Sequence, residues 1–169
     1  MTGRVATTPG EPLSAAGAAA WLAVPARWYL GGLFVLAAWH KIAVPHDFAI
    51  DVATYEVLPL VLVNAVAIIL PWIEVGAGLL LLLGIRVRAA ALLVAAMMIV
   101  FLAALGLALS RGLDMSCGCF ASQGAETDPI SFRTVLRDLL WLGLSVLVLA
   151  FDRGHLGLDR RREGAEYHA

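Results

Sequence analysis

Apolar residues fall into four long blocks separated by short polar stretches. A helix needs roughly 20 apolar residues to cross the hydrocarbon core of a bilayer, and each block approaches that length. The first runs from about Arg27 to Val44 and is closed by Pro45. The second runs from about Leu58 to Leu83, is interrupted by Pro71 and carries Glu74 as its only charge. The third, Ala89 to Leu109, has no charged residue, whereas the fourth, about Ile130 to Phe151, holds Arg133, Arg137 and Asp138 in its first half. Arg86 and Arg88 stand in a link so short that the second and third spans must form an antiparallel hairpin. Thr127-Asp128-Pro129 reads as the start of the fourth helix, with Asp128 as cap and Pro129 at the first position. The pattern predicts an all-α integral membrane protein: a four-helix bundle with an extracytoplasmic loop between helices 3 and 4.

The flanks divide the chain further. Residues 1–26 form a mobile tail, rich in Thr, Pro and Gly up to Leu13, and an interfacial lead-in with Trp21 near headgroup level. Only Arg4 precedes this apolar stretch as a positive charge, which fits a lead-in better than a secretory signal. Residues 27–151 form the transmembrane domain, and 152–169 a charged cytoplasmic tail in which His155 and His168 are solvated.

Composition agrees. With 61% hydrophobic residues, 15% charged residues and a mean hydropathy of +0.86, the chain lies outside the range of soluble domains. Its partner is the lipid bilayer. A net charge of −1 lacks the basic footprint of nucleic-acid binding, so no nucleic-acid partner is expected. Arg4, Arg27, Arg86, Arg88, Arg153, Arg160, Arg161 and Arg162 fall on one side of the predicted bundle; Lys41, Arg111, Arg133 and Arg137 fall on the other. Eight against four places both termini in the cytoplasm. The expected location is a bacterial-type cytoplasmic (inner) membrane, crossed several times, with the segment Ser110 to Pro129 outside, where a disulfide can persist.

That segment contains Met115-Ser116-Cys117-Gly118-Cys119-Phe120 and with it both cysteines of the chain. In a bent chain, residues i and i+2 can approach within the Cα separation of a disulfide, and Gly118 permits the required backbone dihedrals. A bridge closing so small a loop removes little chain entropy, and a strained, exposed disulfide is easily reduced. Cys117 and Cys119 are therefore candidates for redox-active thiols, with Arg111 or Arg133 able to favour the thiolate. A second reading is a metal site. Cys117, Cys119, Met115, His40 and His46 together offer thiolate, thioether and imidazole, a donor set for Cu(I), with Zn(II) second.

The segments Ala37-Ala38-Trp39-His40-Lys41 with Pro45 and Phe48, Tyr55 with Leu58-Pro59, and Leu70-Pro71-Trp72-Ile73-Glu74 leading to Leu80-Leu81-Leu82-Leu83-Gly84 form a recognisable series. With Ser116-Cys117-Gly118-Cys119-Phe120, the chain resembles the MauE/DoxX-like family of small redox-associated membrane proteins. The resemblance spans about Arg27 to Phe151, and the Cys-Gly-Cys-Phe element is its most specific part; Ser116 and Ala121 depart from the Asp and Gly expected there. It implies a four-helix membrane protein that supports an extracytoplasmic thioredoxin-like partner in disulfide formation or in maturation of an exported enzyme.

One cysteine pair supplies one exchange centre. The simplest circuit then links an outside partner to an electron carrier in the membrane, for which a quinone is the candidate cofactor. Trp39, His40, Phe101, Phe120 and Trp141 are candidate ring neighbours. The remaining chemistry lies in the intramembrane charges Glu74 and Asp138, each of which must find a partner or stay protonated. Lys41, Arg133 and Arg137 can reach groups in the outer half, and Arg27 enters from the inner end towards Glu74. These charges either hold helices together or handle protons for the thiol or quinone chemistry. Gly118, Phe120, Glu74, Lys41, His40, Arg137 and Asp138 thus stand as supporting residues around Cys117 and Cys119.

Overall fold

The computed structural model describes residues 15–113 and 130–152, with side chains from Ala19 onward. Five helices are present among them: α1 Ala15–Ala43, α2 Pro45–Thr54, α3 Leu60–Leu83, α4 Val87–Ser110 and α5 Phe132–Phe151. Four are long and apolar enough to cross a membrane: Ala19–Ala43, Leu60–Leu83, Val87–Ser110 and Phe132–Phe151. The expected four-span helical bundle is present.

Each span shows a narrow buried stripe against a broad apolar exterior. On α1 the stripe is Ala23, Arg27, Leu30, Phe34, Ala38 and Lys41; on α3 it is Val63, Ala67, Pro71, Glu74, Gly78 and Leu81. The three- and four-residue spacing is that of one helix face. Outward-facing Trp21, Ile68, Leu92, Val100 and Leu140 are all more than half exposed. This inversion of the soluble pattern is what a lipid-facing surface requires, because hydrocarbon, unlike water, does not penalise exposed apolar groups.

Helix-to-helix distance is set by small residues. A Cβ added at Gly31 of α1 would lie 2.9 Å from the Gly78 carbonyl, and one added at Gly78 of α3 would lie 2.8 Å from the Gly31 carbonyl. The two backbones therefore touch where they cross. From this crossing, Leu30 and Phe34 of α1, Leu81 of α3, Val94 and Met98 of α4, and Trp141 and Val148 of α5 build the main core.

The α3–α4 hairpin follows from Gly84. It adopts a left-handed conformation (φ 66°), and the Ile85 amide donates to the Leu80 carbonyl at 3.0 Å. This is a helix stop that glycine makes easily. Gly112 (φ 65°) ends α4 in the same way, with the Leu113 amide donating to the Ala108 carbonyl.

Three expectations change. The lead-in and the first span are one helix from Ala15, with Pro25 inside it. Pro45 closes α1 but also opens α2 at its first turn, a short helix for which the four apolar blocks left no place. The fourth span begins at Phe132 behind Ser131, whose carbonyl accepts from the Thr134 amide at 3.0 Å, while Asp128 and Pro129 lie outside the described residues.

The crossing gives a test of opposite signs within one helix. We predict that Gly78→Ala, which must push α1 and α3 apart, costs about 1–3 kcal/mol. Gly76→Ala meets nothing within 4 Å and should gain up to about 1 kcal/mol from helix propensity. Thermal unfolding followed by circular dichroism in micelles checks both; equal effects would contradict the close crossing.

Candidate functional site

Among the described residues, buried ion pairs connect the spans at two places. At one end the Arg27 guanidinium donates to Asp152 Oδ2 at 3.0 Å, with both side chains fully buried. This joins the early part of α1 to the end of α5, so the chain enters and leaves the bundle at the same end. Deeper along the same stripe of α1, the Lys41 ammonium donates to Glu74 Oε1 at 2.6 Å and Oε2 at 2.8 Å.

The second pair joins residues at different heights. Measured from the Gly31–Gly78 crossing, Lys41 lies ten positions along α1, about 15 Å, and Glu74 four positions back along α3, about 6 Å. Side chains on a helix lean towards its N-terminus, and the two helices run in opposite directions. Lys41 therefore leans down and Glu74 leans up until they meet. Phe48 of α2 covers the ammonium, its ring centre 5.0 Å from Nζ.

Beside this pair lies a cavity of about 460 Å³. α1 contributes Leu33, Phe34 and Ala37; α2 contributes Phe48, Asp51 and Val52; α4 contributes Met97, Met98, Phe101 and Ala104; α5 contributes Trp141. Lys41, Glu74 and Asp51 supply charged groups, and Tyr55 a phenol, in an otherwise apolar lining. The cavity follows from how α4 divides its packing. Its first half joins the main core, whereas Ala104 and Ala108 near its end pack with Tyr55, Leu113 and Ile130 in a separate cluster. Phe101 touches both clusters and stacks edge-on against Tyr55 with ring centres 6.2 Å apart. Leu113 and Ile130 flank the segment that carries the cysteines, so both of its stems are anchored on residues beside the cavity. Arg111 adds a hydrogen bond to the Glu56 carbonyl at 3.2 Å, joining the end of α4 to the α2–α3 connection.

The expected site residues divide accordingly. Lys41 and Glu74 meet; Arg27, expected to approach Glu74, instead pairs with Asp152, a residue assigned to the tail. Asp138 is fully buried, and its Oδ1 accepts from Arg137 Nε at 3.3 Å. Arg137 also lies over the Trp141 ring, 4.8 Å from its centre. Among the candidate ring neighbours, Phe101 and Trp141 line the cavity, while Trp39 and His40 are on the exposed side of α1 and do not. His46 is exposed as well. Met115, Cys117, Gly118, Cys119 and Phe120 lie outside the described residues. Among the described residues no three His, Cys, Asp or Glu side chains gather closely enough to hold a metal ion. Asp51 was not singled out from the sequence, because the helix that carries it was not foreseen.

The family model described as methylamine utilisation protein MauE matches residues 19–151. The chain belongs to the MauE family. A relative, the methylamine utilization protein MauE of Paracoccus denitrificans, is 35% identical over 129 residues, covering 76% of this chain and 67% of that protein. No solved structure matches the chain. The matched region contains every span, both ion pairs except Asp152, and the cavity lining.

The Lys41–Glu74 pair predicts a strong coupling. Lys41→Met or Glu74→Met alone strands a charge in the apolar interior and should cost about 3–5 kcal/mol, whereas the double variant should cost far less than the sum. A double-mutant cycle of thermal unfolding measures this. Additive effects would mean that the two groups do not depend on each other.

Proposed function

We propose that this MauE-family membrane protein is a thiol–disulfide redox protein. Its Cys117-Gly118-Cys119 pair exchanges electrons with an extracytoplasmic thioredoxin-like partner and so supports disulfide formation and maturation of exported proteins. The name of the 35% identical relative suggests a client in methylamine utilisation.

The observation that carries this reading is the anchoring of the cysteine segment. Its stems, Leu113 and Ile130, pack on Tyr55 and Ala108, so a polar stretch holding the only two cysteines leaves from and returns to one fixed point of the bundle. Thiol–disulfide exchange needs a thiolate that attacks a partner sulfur in line, and a tethered segment limits the search for that geometry. The basic-residue count supports an inner-membrane orientation with both termini cytoplasmic and the cysteine segment outside. In the exchange that forms disulfides, a thiolate of the reduced partner attacks the Cys117–Cys119 disulfide and forms a mixed disulfide. The partner's second thiolate then attacks that bond, leaving a disulfide on the partner and two thiols on this chain. The same steps run in reverse for the opposite electron flow.

Alkylation with a mass-tagged maleimide, before and after mild reduction by dithiothreitol, tests this reading. The expected result is a reversible gain of two modified thiols, with the cycle lost in Cys117→Ser and Cys119→Ser and client maturation falling roughly tenfold or more. Thiols that never oxidise, or full maturation in both serine variants, would leave only a scaffolding role.

A further inference from the structure

We infer that the cavity beside the Lys41–Glu74 pair binds the head ring of a membrane quinone. The ring would lie between Phe101, Trp141 and Met97, with a carbonyl towards the Lys41 ammonium.

Four observations converge on a neutral, lipid-soluble ring. The lining is apolar apart from Lys41, Glu74, Asp51 and Tyr55. A volume of about 460 Å³ lies within the range of small-molecule sites, which commonly pair apolar walls with a few polar groups. The mouth opens sideways on α4: Ala96 and Val100 both line the cavity and are exposed, Val100 at 71%. They lie on the outer face of a spanning helix, so a ligand dissolved in the hydrocarbon enters without crossing water. Finally, the Lys41 ammonium is already balanced by the Glu74 carboxylate at 2.6 and 2.8 Å, which leaves no net positive charge from this pair for the phosphate of an anionic lipid head but tolerates a neutral carbonyl, which accepts a hydrogen bond from an ammonium. Glu74 takes two of the three Lys41 donors and leaves one for such a carbonyl.

The inference rests on the thiol reading above, which needs a two-electron acceptor in the membrane. The step balances without another reactant. Two thiols give up two electrons and two protons as the Cys117–Cys119 S–S bond forms; the quinone takes up both pairs as its two C=O groups become C–OH. The carboxylate of Glu74, beside the ring carbonyl, is placed to hand on a proton.

Titration of the full-length protein in phosphatidylcholine nanodiscs with decylubiquinone, a short-tailed quinone, tests the site through quenching of tryptophan fluorescence. Wild type should bind saturably at one site. Ala96→Trp, at the exposed mouth of the cavity, should weaken binding roughly tenfold, as should Lys41→Met, an effect on the scale of one lost polar contact. The mouth position keeps the test informative even where Lys41→Met does not fold. Leu92→Trp, on the exposed face of α4 and away from the cavity lining, should bind as wild type does. Non-saturable partitioning that is equal in wild type and Ala96→Trp would mean that acyl chains alone fill the cavity, and would overturn the site. Cysteine alkylation on wild type without quinone reads the thiol chemistry separately: thiols that cycle without saturable quinone binding sink the site alone, and binding without cycling thiols sinks the thiol reading alone.

Discussion

A cation and an anion placed in the apolar middle of a helix bundle must find each other, and the helix packing has to bring them together. Lys41 and Glu74 meet this constraint at 2.6 and 2.8 Å, across helices whose backbones touch at Gly31 and Gly78. Either charge alone is expensive at that depth, and the pair becomes tolerable only through short, doubly bonded contact. The closeness of α1 and α3, the lean of both side chains and the cover supplied by Phe48 all follow. So does the cavity, because the polar pair gives the surrounding apolar walls one end at which a ligand can be oriented.

The Arg27–Asp152 pair has a different character. It is fully buried, joins the first span to the last and does not line the cavity beside Lys41. Its effect is to close the bundle at the end where the chain enters and leaves. Between the two pairs lie Gly31, Phe34 and Trp141, whose indole donates to the Tyr29 hydroxyl at 3.3 Å. The molecule is therefore pinned by charge at two heights and by packing between them, and the more open pair lies nearer the stems of the cysteine segment.

Much of this was legible in the sequence for a physical reason. A span must hold a long uncharged run, so the blocks ending near Leu83 and Leu109 read directly as helices, and the Gly84 to Arg86 link left no choice but a hairpin. Buried charges were equally visible, since Glu74 stands alone in its block. Their pairing was not: Lys41 and Arg27 lie on the same stripe of α1, and only the depth of the helix crossing decides which of them reaches Glu74. α2 escaped because ten residues with four polar side chains, His46, Asp47, Asp51 and Thr54, carry no span signal. With it went Asp51 and the cover over Lys41. Trp39 and His40 do not line the cavity because they are adjacent to the buried stripe of α1 without lying on it, a distinction of one residue that periodicity alone does not settle.

On the proposed reading, electrons from the cysteine pair leave through the cavity into the membrane. The most direct measurement of this is the stoichiometry of quinol formation by pre-reduced protein in vesicles loaded with a short-tailed quinone. One quinol formed per Cys117–Cys119 disulfide, and none from the Cys117→Ser/Cys119→Ser double variant, is the predicted result. Disulfide formation without quinol, or quinol formed undiminished in the double variant, would contradict it.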